Sequence, residues 1–198
     1  MNDTIFRLLA VITLLIGVSI SIYFRSRAER VGGDRISLKD EGLAMMIALR
    51  VVGLAGWIGV FTYMINPLWM AWSRVDLPDW LRWLGLGMGM LGDVLAWWVF
   101  SNLGNNVTPT VVTRKNAQLV TTGPYRWIRH PLYVMGLIMV IGFALLAENW
   151  FIALTAILGF VMLSIRVRVE ETRLIEKFGD EYRSYMKNTG RFLPKWTK

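Results

Sequence analysis

Cysteine is absent from this chain of 198 residues, and histidine occurs once, at His130. The missing thiol excludes disulfides, zinc thiolates and a cysteine nucleophile. A single imidazole gives no His-based metal site either, so no metal is expected. Acidic residues are also scarce, 14 against 22 Lys and Arg, for a net charge of +8. What fills the chain is apolar: it is 55% hydrophobic with ten Trp, and its mean hydropathy is +0.44. A soluble domain this small cannot bury that much apolar surface, so the bilayer serves as solvent and membrane lipids are its surroundings. In such a chain positive charge reports topology. No nucleic-acid reader motif is visible, and nucleic acid is not an expected partner. Internal repeats and low-complexity tracts are lacking too.

Five apolar segments stand out: Ile5–Phe24, Leu43–Ile65, Trp80–Leu103, Leu132–Ala147 and Trp150–Ile165. The first three are long enough to cross a hydrocarbon core about 30 Å thick. The last two are shorter and separated only by Glu148 and Asn149, which predicts a tight helical hairpin over Pro131–Ile165. The first run does not read as a signal peptide, since bulky Tyr23 and Phe24 precede Arg25 where cleavage needs small residues. Loops rich and poor in Lys and Arg alternate strictly. Arg7 stands alone before the first span. Arg25, Arg27, Arg30, Arg35 and Lys39 follow it, then Arg74 alone, then Arg114, Lys115, Arg126 and Arg129. The hairpin tip has none and the tail from Arg166 carries nine. This pattern predicts five spans with the N-terminus outside and the C-terminus cytoplasmic; a four-span reading, with the hairpin dipping in and out, gives the polar clusters the same sidedness. The expected fold is an all-α integral membrane protein: an N-terminal region over 1–102 with three spans, and a region over 103–198 with a loop, the hairpin and a cytoplasmic helical tail, forming one integrated domain.

Two polar clusters lie where apolar runs meet water. The first is Gly123-Pro124-Tyr125-Arg126-Trp127-Ile128-Arg129-His130-Pro131-Leu132-Tyr133. Gly123 and Pro124 make a turn, His130 is pushed toward extended backbone by Pro131, and Pro131 suits a first helical position. Free amides there, beside Arg129 and His130, suit an anion. An aromatic and arginine anchor at the interface is the alternative. In the second cluster, Arg166 and Glu170 stand i, i+4 on one helix face. Either they form a plain helix salt bridge, or Glu170 accepts from a ligand while Arg166 holds an anion. Gly179 then ends the helix and Asp180 caps another. Leu174, Ile175, Phe178, Tyr182, Tyr185 and Met186 form an apolar stripe suited to packing on the loops or the membrane surface. Gly53, Gly56, Gly59, Gly85, Gly87, Gly89 and Gly92 fall inside spans, where small residues let helices approach. Asp93 is expected to pair with Arg50 inside the bilayer.

The ordered set Leu103-Gly104-Asn105-Asn106, Leu119-Val120 with Gly123 and Tyr125, Arg129-His130-Pro131 with Tyr133, Arg166, Glu170-Glu171 and Phe178-Gly179-Asp180-Glu181-Tyr182 resembles the isoprenylcysteine carboxyl methyltransferase family, and the wider phospholipid methyltransferase group shares part of it. The likeness runs from about Leu103 to Pro194. It implies S-adenosylmethionine as cofactor, contacted by Gln118, Leu119, Val120, Tyr125, His130, Pro131, Leu132, Tyr133 and Glu170, with Arg166 orienting the substrate. Ala117 departs from the family, whose members often carry His there. Implied too is a lipophilic methyl acceptor entering from the bilayer, O-methylated on a carboxylate. Alternatives are an amine or thiol acceptor, for which Glu171 or Tyr133 would accept the proton, a nicotinamide-dependent membrane reductase of the sterol-reductase kind, and a non-enzymatic scaffold. Self-association through the glycine-rich spans is left open.

Overall fold

Proline and glycine set the helix boundaries. In the computed structural model, which describes residues 3–31, 43–104 and 118–195, six α-helices follow one another: α1 (Asp3–Val31), α2 (Leu43–Ile65), α3 (Asp79–Leu103), α4 (Pro131–Leu146), α5 (Trp150–Phe178) and α6 (Asp180–Asn188). Pro78 precedes α3, Pro131 opens α4, and left-handed Gly104 and Gly179 close α3 and α5. Short 3₁₀ turns occupy Pro67–Ser73 and Gly123–Arg126.

α1, α2, α3 and α5 are long and apolar enough to cross a membrane, so the chain is an integral, multi-pass membrane protein. With 16 residues, α4 is about 24 Å long at 1.5 Å per residue, short of a full hydrocarbon core. α1 departs from its expected end at Phe24: it stays helical through Arg25 and Arg27 to Val31. Arginine is a good helix former, so the polarity change at Arg25 ends the apolar stretch and not the helix.

The α4–α5 hairpin forms as expected, turning at Glu148 and Asn149. The Asn149 side chain accepts from Ile152 N at 3.1 Å, capping α5, and donates to Ser73 Oγ at 2.7 Å. Helix α3 packs chiefly on α4 and α1, and α2 on α5. The expected small-residue packing is present. A Cβ on Gly85 would lie 2.8 Å from Gly142 O, Gly92 faces Met139, Gly89 faces Thr13, and Gly56 and Gly59 face α5. Gly53 and Gly87 border open space instead. Buried apolar side chains gather at two ends: Phe6, Tyr63, Phe143, Leu146 and Ile152 near the hairpin tip, and Phe24, Ala28, Ala96 and Phe100 at the other.

Two expectations fail. Asp93 is buried and its Oδ1 has no hydrogen-bond partner, whereas Arg50 is exposed, so they do not pair. The reason is helix order: α2 leans on α5, while Asp93 Oδ1 points at α1, 2.8 Å from where a Gly17 Cβ would stand. Asp180 is not a cap either. Gly179 takes the cap position without a side-chain bond, and the Asp180 carboxylate accepts from Arg183 at 2.7 Å.

Candidate functional site

Between the two buried ends runs a cavity of about 720 Å³, within the roughly 300–1,000 Å³ typical of small-ligand sites. All ten residues expected to serve the site line it: Gln118, Leu119, Val120, Tyr125, His130, Pro131, Leu132, Tyr133, Arg166 and Glu170. They come from three stretches that only the tertiary fold joins. Gln118, Leu119 and Val120 are non-helical chain leading into the turn at Gly123, whose φ is +57°. A side chain at Gly123 would collide with Asn102 as well, so glycine is required twice over. Beyond this polar mouth the cavity continues between the spans, past Val60, Met139 and Phe143 to Thr155.

The mouth is held by a charge node. Arg129 Nε donates to Glu171 Oε1 at 2.8 Å, and Arg191 donates to Glu171 through Nη2 at 2.5 Å and Nε at 3.3 Å. His130 Nε2 lies 3.4 Å from the same Oε1. Main-chain bonds run alongside: Arg129 N to Gly190 O at 2.8 Å, His130 N to Arg191 O at 3.1 Å, and Gly190 N to Trp127 O at 3.2 Å. Arg129 Nη1 also donates to the Thr189 carbonyl. The stretch after α6 is thereby stapled to the stretch before α4. Gly190 is needed here, because a Cβ would overlap the Leu193 carbonyl.

Glu170, one residue from this node, faces the cavity. Its Oε2 accepts from Tyr133 OH at 2.7 Å and lies 3.7 Å from His130 Nδ1. The His130 and Tyr133 rings stack with centroids 5.6 Å apart. Tyr185 OH donates to Tyr125 O at 2.5 Å, fixing the turn against α6. Burial pushes the Tyr125, Tyr182 and Tyr185 phenols well above their ordinary pKa, so all three stay protonated at neutral pH.

Three sequence readings change. Arg129 is committed to Glu171 and to tail carbonyls, and so does not serve a free anion site at the start of α4. Glu171 is buried and matched by Arg129, Arg191 and His130, which makes it an ion-pair node and a poor proton acceptor. The apolar stripe packs on the Tyr125 turn as expected, but Leu174, Phe178, Tyr182 and Tyr185 also wall the cavity. Arg191 was missed altogether. It sits outside any helix, so no periodicity marks it. Ala117 lies outside the described residues, and among those residues no cluster of His, Asp or Glu could hold a metal.

Comparison with known proteins gives this geometry a lineage. Residues 80–181, just over half the chain, match the family model described as Phospholipid methyltransferase. The chain belongs to that family. Its relatives and its fold bear out the likeness to isoprenylcysteine carboxyl methyltransferases. It is 32% identical over 162 residues to the Protein-S-isoprenylcysteine O-methyltransferase of Mus musculus, covering 80% of this chain and 56% of that protein. The Tribolium castaneum protein of the same name is 31% identical over 118 residues, covering 58% of this chain and 42% of that protein. The cobalt-zinc-cadmium resistance protein CzcN of Cupriavidus metallidurans is 32% identical over 140 residues, covering 70% and 62%. Each match spans less than two thirds of the relative's length. A solved structure of the eukaryotic intramembrane Ras methyltransferase, isoprenylcysteine carboxyl methyltransferase, shares the fold with a TM-score of 0.55, at 21% identity over 94% of this chain and 67% of that one.

Proposed function

We propose that this chain is an S-adenosylmethionine-dependent membrane methyltransferase that O-methylates the carboxylate of an isoprenylcysteine-like or other lipophilic acceptor. The observation that carries this reading is one continuous cavity, polar and aromatic at its mouth, apolar within, with Glu170 and Arg166 on one helix face between the two environments. The donor set suits the cofactor. Glu170 and Tyr133 offer hydrogen-bonding groups for a hydroxylated, cationic ligand, with the Tyr125 and His130 rings and the Leu119 and Val120 side chains beside them.

S-adenosylmethionine, when bound, supplies a methyl group on a sulfonium. An acceptor carboxylate is already ionised and needs no base. Transfer then neutralises opposite charges, which a water-poor site favours over the separated ions. The chain's own tasks are alignment and exclusion of water. Glu170, oriented by Tyr133, positions the cofactor; Arg166 orients the acceptor carboxylate; the spans admit its lipid portion sideways from the bilayer. An amine acceptor fits less well, because Glu171 is saturated with cations and Tyr133 OH is donated to Glu170. The charge pattern supports five crossings, α4 included, with the mouth on the cytoplasmic side.

The test is binding of labelled S-adenosylmethionine to detergent-solubilised protein. Glu170→Ala is expected to weaken it about tenfold to a hundredfold, as hydrogen bonds to a charged group contribute roughly 1.5–3 kcal/mol, with the protein still inserted. Binding of a nicotinamide dinucleotide without S-adenosylmethionine binding would overturn the assignment.

A further inference from the structure

The continuation of α1 through Arg25 gives the cavity a wall that polarity alone does not suggest. Thr13, Leu14, Gly17, Val18, Ser21 and Arg25 recur at helical spacing and all line it. Along this stripe the chemistry is graded: Thr13, whose hydroxyl is spent on the Leu9 and Ala10 carbonyls, with Leu14, Gly17 and Val18 inside, then a hydroxyl at Ser21 and a guanidinium at Arg25.

Arg25 differs from Arg129, the other arginine of the mouth outside α5. Arg129 is neutralised by Glu171. Arg25 Nε donates to Ser21 Oγ at 3.1 Å and its guanidinium lies 5.9 Å from the Phe100 ring centroid. A neutral hydroxyl and an aromatic face orient a guanidinium without discharging it.

We infer that Arg25 is an acceptor-binding residue, which anchors an anionic group of an amphiphile whose chain lies along the α1 wall between Ser21 and Thr13. This rests on the methyltransferase reading for the word acceptor, and adds to it a specificity residue from the N-terminal half. Carboxylate and phosphate share the required chemistry.

The experiment measures binding of farnesyl-chain amphiphiles ending in carboxylate, phosphate or carboxamide to the full chain saturated with S-adenosylhomocysteine. The expected result is that one anion binds about tenfold or more tighter than the carboxamide, and that Arg25→Gln removes most of this preference. Arg27→Gln, at a neighbour equally exposed that does not line the cavity, retains it. Whichever anion binds tighter identifies the source. On the wild-type chain, the tighter anion also protects Arg25 from phenylglyoxal, read by mass spectrometry, so the result does not hang on how a variant folds. Equal binding of anions and carboxamide, an unchanged preference in Arg25→Gln, or no protection of Arg25 overturns the inference. If the Arg25-dependent preference persists in a chain that binds no S-adenosylmethionine, the anion site stands and the methyltransferase reading falls.

Discussion

Both ends of the helix bundle bury a glutamate between arginines, and the two ends use it differently. At the hairpin tip, Glu148 meets Arg74 at 3.0 Å and Arg82 at 3.5 Å; Arg82 also holds Asp3 at 2.7 Å and stacks on Phe6. Glu148 has a left-handed backbone, φ 52°, uncommon for a side-chain-bearing residue, and Val75 N donates to its carbonyl at 2.8 Å. These bonds gather α1, α3 and the hairpin turn around a cavity of only about 210 Å³. At the other end Glu171 is tied just as firmly, but its ties frame the cavity of about 720 Å³. A buried ion pair is therefore no sign of function by itself. The difference lies in the neighbour: Glu170 faces a void lined by aromatic and polar groups, while Asn149, beside Glu148, spends its side chain on capping α5 and binding Ser73.

The largest test of this contrast removes each glutamate. Breaking a buried pair by deleting one partner costs about 3–5 kcal/mol. Glu171→Ala and Glu148→Ala are both expected to lower the thermal unfolding midpoint in detergent by comparable amounts. Only Glu171→Ala should also abolish S-adenosylmethionine binding, whereas Glu148→Ala should leave the affinity within about twofold, as distant sites act independently. Equal loss of affinity in both would mean that the tip also shapes the site.

Arg166→Ala sharpens the division within the cavity end. Cofactor affinity should survive while turnover is lost; full turnover would reduce Arg166 to a helix-surface charge.

The glycines that join the two ends come next. Gly142→Ala forces a methyl to within 2.8 Å of Gly85 O and Gly89 N, an overpacking expected to cost about 1–3 kcal/mol. Gly87→Ala meets nothing and should raise stability by roughly 0.4–1 kcal/mol. Opposite signs in thermal melts would verify the α3–α4 contact.

The smallest effect belongs to Tyr185→Phe, which deletes one bond to the Tyr125 carbonyl and should cost about 1 kcal/mol. It carries a pH signature. The folded phenol is held above its ordinary pKa by burial, while the unfolded one titrates near about 10. Above that pH the unfolded state binds fewer protons than the folded one, so stability falls as pH rises. The variant should lose part of that alkaline sensitivity.

Much of this was legible in the chain. The α4–α5 hairpin, the helix start at Pro131, the stop at Gly179 and the glycine contacts of α3 follow from local rules of turn, cap and small-residue packing. The ten residues singled out through the order of motifs all line the cavity, and that order left their mutual geometry open. Arg25 was read as the start of a loop because polarity changes there, although helix propensity does not. The Arg50–Asp93 pair was a reasonable match in depth, and it failed because depth says nothing about which helices are neighbours.

The sequence by itself determined that the chain lives in a bilayer and where most of its helices break, because hydropathy, proline and glycine act over a few residues. Only the tertiary structure decided that Glu171 is a clamp and Glu170 a cavity wall, that Arg191 ties the tail to Glu171, and that Arg25 lines the cavity. Those assignments depend on which side chains meet across 20 to 75 residues of chain, and no local preference encodes that.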